Sequence, residues 1–191
     1  MDAKSNNTNK QYITRKNGSL IALIEVLRCS TPQLRNKWSN QLLYKLHIIH
    51  NVFKNSHCNI CLDSLKVDNK NNLVIVNVLE NVSNYTESQT DIKFKAPELI
   101  NRNIRSKAGD VWATGICIYY IKNLEFPWNI ANNRDENYQL WKKFGKLSSS
   151  LFQSEIINKA LVVDPKKRSK IEEIIKTTSN TEVDPNTLSK F

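Results

Sequence analysis

The densest run of chemically capable side chains is His57-Cys58-Asn59-Ile60-Cys61-Leu62-Asp63-Ser64. Cys58 and Cys61 stand in Cys-x₂-Cys spacing beside His57, an arrangement in which thiolates and an imidazole can hold zinc. A structural zinc needs a second ligand pair, and Cys29 and Cys117 fall on separate predicted helices without ligand spacing. No metal centre is therefore expected. His57 reads as a packed histidine in a turn, and His47 and His50 as ordinary surface or half-buried residues. Four cysteines at irregular intervals are also too few for a disulfide scaffold and read as reduced thiols. The Asn-x-Ser/Thr triplets at Asn81 and Asn84 then carry no glycosylation meaning. A second group, Ser83, Tyr85, Thr86, Ser88 and Thr90, offers hydroxyls that could be phosphorylated, against the simpler reading of a polar surface loop.

The elements that must position these residues follow from periodicity. Residues 1–17 are polar and read as a flexible tail, and 179–191 as a second polar tail, leaving one domain over 18–178. Ser19 to Leu27 predicts a short helix. After Ser30-Thr31-Pro32, where a hydroxyl can cap and Pro suits the first turn, a long helix is predicted. Its apolar residues Leu34, Trp38, Leu42, Leu46, Ile49 and Phe53 step by three or four and so share one stripe facing a core. Leu65-Lys66-Val67 and Leu73 to Val78, around Asp68-Asn-Lys-Asn-Asn72, predict a β-hairpin. Residues 80–95 have no period and read as a loop. From Lys107 to Asn123 nearly every face is apolar, which requires a helix in the middle of the domain. Three amphipathic helices are predicted at 135–144, 149–161 and 168–178, with Leu151, Phe152, Ile156, Ile157, Leu161, Ile171, Ile174 and Ile175 inward.

Length and charge narrow the class. At 191 residues, 40% hydrophobic and 24% charged, the chain has the composition of one globular domain and not of a disordered or collagen-like polymer. No apolar run reaches the roughly 18 residues of a membrane span, and the first twenty lack the apolar core of a signal peptide, so an intracellular, cytoplasmic or nuclear protein is expected. The net charge of +10 is uneven: +7 over 1–56, −2 over 57–100 and +5 over 101–191. The N-terminal excess suits an acidic partner or nucleic acid, but no Arg/Lys run interleaved with aromatics accompanies it, so a nucleic-acid module is the weaker reading.

The order of these elements, with their motifs, resembles the C-terminal lobe of a eukaryotic protein kinase. His57 to Ser64 lies where that family carries its H-R-D-x-x-x-x-N catalytic loop. Asn77-Val-Leu79 lies at the D-F-G position, and Ala96-Pro97-Glu98 matches A-P-E. Lys107 to Gly115 resembles the S-D-V-W-S-x-G segment, and Asp164-Pro-Lys-Lys-Arg168 the D-P-x-x-R motif. The resemblance spans about Gly18 to Thr178. It implies a mainly α fold with a small β-hairpin, a kinase-like helical lobe without the N-terminal lobe.

The same resemblance implies that the chemistry is depleted. The chain has four glycines, Gly18, Gly109, Gly115 and Gly145, and no G-x-G-x-x-G loop or V-A-I-K lysine can be drawn. If Met1 is the true start, a nucleotide has no roof. Asn59 stands at the position of the catalytic Asp, and loss of a positioned base costs about 10²–10⁴ in rate. Ser64 and Asn77 stand where Asn and Asp hold magnesium, Cys61 where serine/threonine kinases have a lysine, and Cys58 where an Arg reads a phosphorylated activation loop. Neither ATP nor Mg²⁺ is expected as a cofactor, and none of His57, Asn59, Cys61, Ser64 and Asn77 is expected to act catalytically. The structural residues implied by the family are kept: Asp110, which holds the catalytic-loop backbone, and Glu98 with Arg168, the pair that ties the APE segment to the last helices. The expectation is a pseudokinase that regulates or inhibits a kinase pathway by protein binding, with a diverged or truncated serine/threonine protein kinase as the alternative.

Overall fold

Eleven buried residues on one helix set the centre of the molecule: α4, Lys107–Asn123, in a computed structural model that describes residues 20–76, 89–102, 106–145 and 154–178. A helix apolar on nearly every face must be surrounded, and α4 packs against α2 (Pro32–His47) on one side and α6 (Glu155–Ala160) on the other. Its ends are set locally. Ser106 caps the start, its hydroxyl accepting from the Gly109 amide at 3.1 Å, and Leu124 ends it in a left-handed conformation at φ 61°. The bounds coincide with those that the apolar run predicts.

The contact with α6 is close because position 115 has no side chain. A Cβ there would lie 2.8 Å from Ala160 Cβ and 2.9 Å from Leu161 Cδ2. α7 (Ile171–Thr178) covers α2 and α6, with Ile171 and Ile174 buried. α5 (Glu136–Phe144), capped by Asp135 through the Tyr138 amide, adds Tyr138 and Trp141 to an aromatic cluster with Trp112 and Trp128. These tryptophans are core residues; Trp128 is 2% and Trp141 6% exposed.

α2 begins at Pro32 with Thr31 as its cap; the Leu34 amide donates to the Thr31 hydroxyl. Trp38, Leu42, Leu46 and Ile49 are buried as the stripe requires. Phe53 is not. The last turn, Ile48–Val52, is a π-helix in which the Phe53 amide donates to the Ile48 carbonyl, five residues back, at 3.0 Å. The wider turn carries one more residue than an α-turn, so the stripe rotates and Phe53 faces solvent.

Ser19 to Leu27 also differs from a plain helix. Ile21–Ala22 is a strand, β1, and only Leu23–Leu27 is helical, α1. β1 pairs antiparallel with β2 (Leu65–Val67), which pairs antiparallel with β3 (Leu73–Ile75), so the predicted hairpin is part of a three-stranded sheet. Two residues carry no period; their ladder partners at Lys66 and Val67 make them a strand. α2 grips the hairpin through polar contacts. Trp38 Nε1 donates to the Asn71 carbonyl at 3.0 Å, and Gln41 accepts from the Leu73 amide at 2.7 Å.

Part of the segment predicted as loop, Gln89–Phe94, is a 3-10 helix, followed by α3, Pro97–Arg102. α6 starts at Glu155 with the Ser154 hydroxyl as its cap, and the predicted start at 149, with Leu151 and Phe152, lies outside the described residues, as do 1–17, Asn77-Val-Leu79 and 179–191. α7 starts three residues later than 168, because 164–168 is a turn that delivers Arg168. Among the described residues no helix is long and apolar enough to cross a membrane.

Candidate functional site: the His57–Ser64 loop

The loop is built on one carboxylate. Asp110 sits in the first turn of α4, where the helix dipole favours an anion, and is 2% exposed. A buried carboxylate is tolerated only when hydrogen-bonded. Its Oδ2 accepts from the His57 amide at 2.7 Å and from His50 Nε2 at 2.9 Å, and its Oδ1 from the Cys58 amide at 2.7 Å. Two successive loop amides therefore point at one side chain, and Cys58 takes a left-handed φ of 63°. The π turn serves the same centre: it delivers His50, whose carbonyl in turn accepts from Lys107 Nζ at 2.5 Å.

His50 is thus buried and bonded, 3% exposed, and not the surface or half-buried residue that its type suggests. The available signal was position: with Leu43 and Leu46 it forms a three- and four-residue step along the inward face of α2.

His57 is fixed as a neutral ring. Its Nε2 donates to the Val76 carbonyl at 3.3 Å and its Nδ1 accepts from the Asn59 amide at 3.2 Å, so both nitrogens are occupied without a second proton. Burial pushes this imidazole below the ordinary histidine range, against weaker opposing pulls from Asp110 and the Val76 carbonyl. The ring bridges the loop to the strand end after β3.

Ser64 closes the loop at its other end. Its hydroxyl accepts from the Cys61 amide at 3.1 Å and donates to the Cys61 carbonyl at 2.8 Å, while its own carbonyl accepts from the Val76 amide at 2.9 Å. The residue is 2% exposed, and its hydroxyl both donates and accepts within the loop. Cys61 is also buried. It lies near Cys117 on α4, whose thiol is held protonated by burial first and by this neighbour second. Cys58 is half-buried with its Sγ 3.1 Å from the Ser56 hydroxyl. Among the described residues no group of three or more His, Cys, Asp or Glu is arranged to hold a metal ion. Asn77 and Ser83 to Ser88 lie outside the described residues, as does the side chain of Thr90.

A second polar centre also involves the start of α4. Arg168 meets Glu98 in a bidentate pair, Nη1 to Oε1 at 2.7 Å and Nη2 to Oε2 at 3.1 Å. It also donates to the carbonyls of Ala108 at 2.7 Å, Val162 at 2.9 Å and Val163 at 3.4 Å. All five guanidinium hydrogens are engaged, and the group stacks 4.9 Å over the Trp112 ring. The Tyr138 hydroxyl nearby is pushed up to about 12, by burial first. One residue thus joins α3, the start of α4 and the turn before α7.

A helical domain whose loop amides converge on a buried Asp at the head of a central helix, with an APE segment clamped by a distant Arg, defines the class. The protein kinase domain family matches residues 11–178, and the chain belongs to this family. No curated protein matches it at a significant level.

Proposed function

We propose that the chain is a catalytically inert member of the kinase family that regulates a kinase pathway by binding a protein partner. The observation that carries this reading is the contrast within one loop. Its scaffold bonds to Asp110 are complete, while its reactive positions hold Asn59 and a Ser64 whose hydroxyl is engaged by the Cys61 backbone. An amide at position 59 cannot take a proton from a substrate hydroxyl. Nor does this donor set fit a nucleotide-bound magnesium ion, a hard cation that prefers carboxylate oxygens; the serine oxygen is buried and already bonded. ATP and Mg²⁺ are accordingly no part of the proposed activity.

The alternative, a diverged serine/threonine kinase, makes the opposite prediction. Thermal unfolding with and without MgATP, together with a phosphotransfer assay, separates the two. The inert reading expects no Mg²⁺-dependent shift and no phosphate incorporation; a shift of several degrees, or incorporation abolished by changing Asn59, overturns it.

A further inference from the structure

We infer that Val52 and Phe53 form an interaction surface for an acidic protein segment that carries an apolar anchor; this rests on the binding-protein reading above and names where the partner sits. Val52 is 65% and Phe53 62% exposed, the most exposed of the large apolar side chains among the described residues. They are adjacent, at the end of the π turn, and are followed by Lys54 in a left-handed conformation at φ 54°. A continued α-helix would have buried Phe53 on the stripe of Leu42, Leu46 and Ile49. The need to bring His50 to Asp110 accounts for the π turn, but not for the residue types that the turn exposes. Polar side chains at 52 and 53 would serve the His50 contact equally and would not leave an apolar pair in water.

The charges around the pair indicate the partner's sign. Lys54 is exposed beside Phe53, and Lys107 reaches into the same turn to donate to the His50 carbonyl. The carboxylate that the turn touches, Glu172, is engaged by the Asn51 side chain and lies beside His47 and Lys170. An apolar pair next to the exposed Lys54 is complementary to a segment in which Asp or Glu flanks Leu, Ile or Phe. A nucleic acid could stack a base on Phe53, but the aliphatic Val52 adds nothing to such a platform, so a protein segment is favoured.

The test uses the full chain and three variants, Phe53→Ser, Val52→Ser and Lys54→Glu, against short synthetic peptides in which acids flank an apolar pair. Control peptides carry Lys for the acids or Ser for the apolar residues, and a single-stranded oligonucleotide is run beside them. Exposed positions tolerate these substitutions, so the variants should melt with the parent. The expected result is binding of the acidic apolar peptide that Phe53→Ser and Val52→Ser each weaken about tenfold or more. Lys54→Glu should weaken it chiefly at low ionic strength, and both controls should bind at least about tenfold more weakly. The inference is overturned by absence of binding, by binding unchanged in Phe53→Ser and Val52→Ser, or by preference for the oligonucleotide. It is equally overturned if the pair is covered by a second copy, seen as concentration-dependent association, or by residues 179–191, seen as a change at Phe53 when they are removed. Phosphotransfer by the chain would defeat the inert reading without touching this surface. Loss of peptide binding alone would defeat the surface and leave MgATP inertness in place.

Discussion

Arg168 engages five oxygens and one aromatic face, so its removal leaves Glu98 buried and unpaired and strands three carbonyls. Arg168→Ala should cost about 3–5 kcal/mol, the range for breaking one side of a buried ion pair. For a chain of this size that lowers Tm by roughly 10 °C. Arg168→Lys should recover only part, because an ammonium cannot reproduce the planar fork. A Tm for Arg168→Ala close to that of the parent would show that the pair is not integral to the fold. The loop histidine gives a pH signature of defined sign. Burial lowers the His57 pKa in the folded state, so at acid pH the unfolded chain binds a proton that the folded chain refuses. The contribution of this group to stability is complete above the ordinary histidine range and is lost as pH falls from there through the folded value. Thermal unfolding followed downward from neutral pH should show this loss, and His57→Gln should flatten that part of the profile. An unchanged slope in His57→Gln would contradict the assignment.

At the scale of elements, the contact of α4 with α6 depends on the missing side chain at 115. Gly115→Ala places a methyl 2.8 Å from Ala160 Cβ and should cost about 1–3 kcal/mol, measurable by denaturant unfolding. The His57–Ser64 loop makes a different prediction. Asn59→Asp restores a carboxylate at one reactive position but leaves the Ser64 hydroxyl bonded to Cys61, so no phosphotransfer is expected from that variant. How much of this was legible in the sequence differs by element. α4 was, because a run apolar on nearly every face admits only a central helix. The start of α2 was, through Thr31-Pro32. The π turn was not: an i to i−5 bond has no compositional mark, and a stripe counted in threes and fours carries Phe53 inward where the structure turns it out. β1 was hidden for another reason, since two residues become a strand only through partners more than forty positions away. Within the site, the sequence suggested Asp110, Glu98 and Arg168 through motifs; the step from Leu43 and Leu46 marks His50 as inward but not its bond to Asp110, and the Lys107 contact enters only through the geometry of the turn.

For the molecule as a whole, the kinase-family scaffold is held by two buried side-chain centres at the start of α4, the hydrogen-bonded Asp110 under the loop and the Arg168–Glu98 ion pair under the APE segment. The chain carries a net charge of +10 and its apolar pair Val52 and Phe53 is exposed, while the backbone of the His57–Ser64 loop is bonded to Asp110 and the Ser64 hydroxyl to Cys61. These features support the proposed reading, in which the surface and not the loop carries the function. The most direct test is incorporation of labelled phosphate from MgATP into the chain and into generic protein substrates, with Asn59→Ala alongside. The account predicts no incorporation above background in either protein. Mg²⁺-dependent incorporation by the parent that disappears in Asn59→Ala would contradict it.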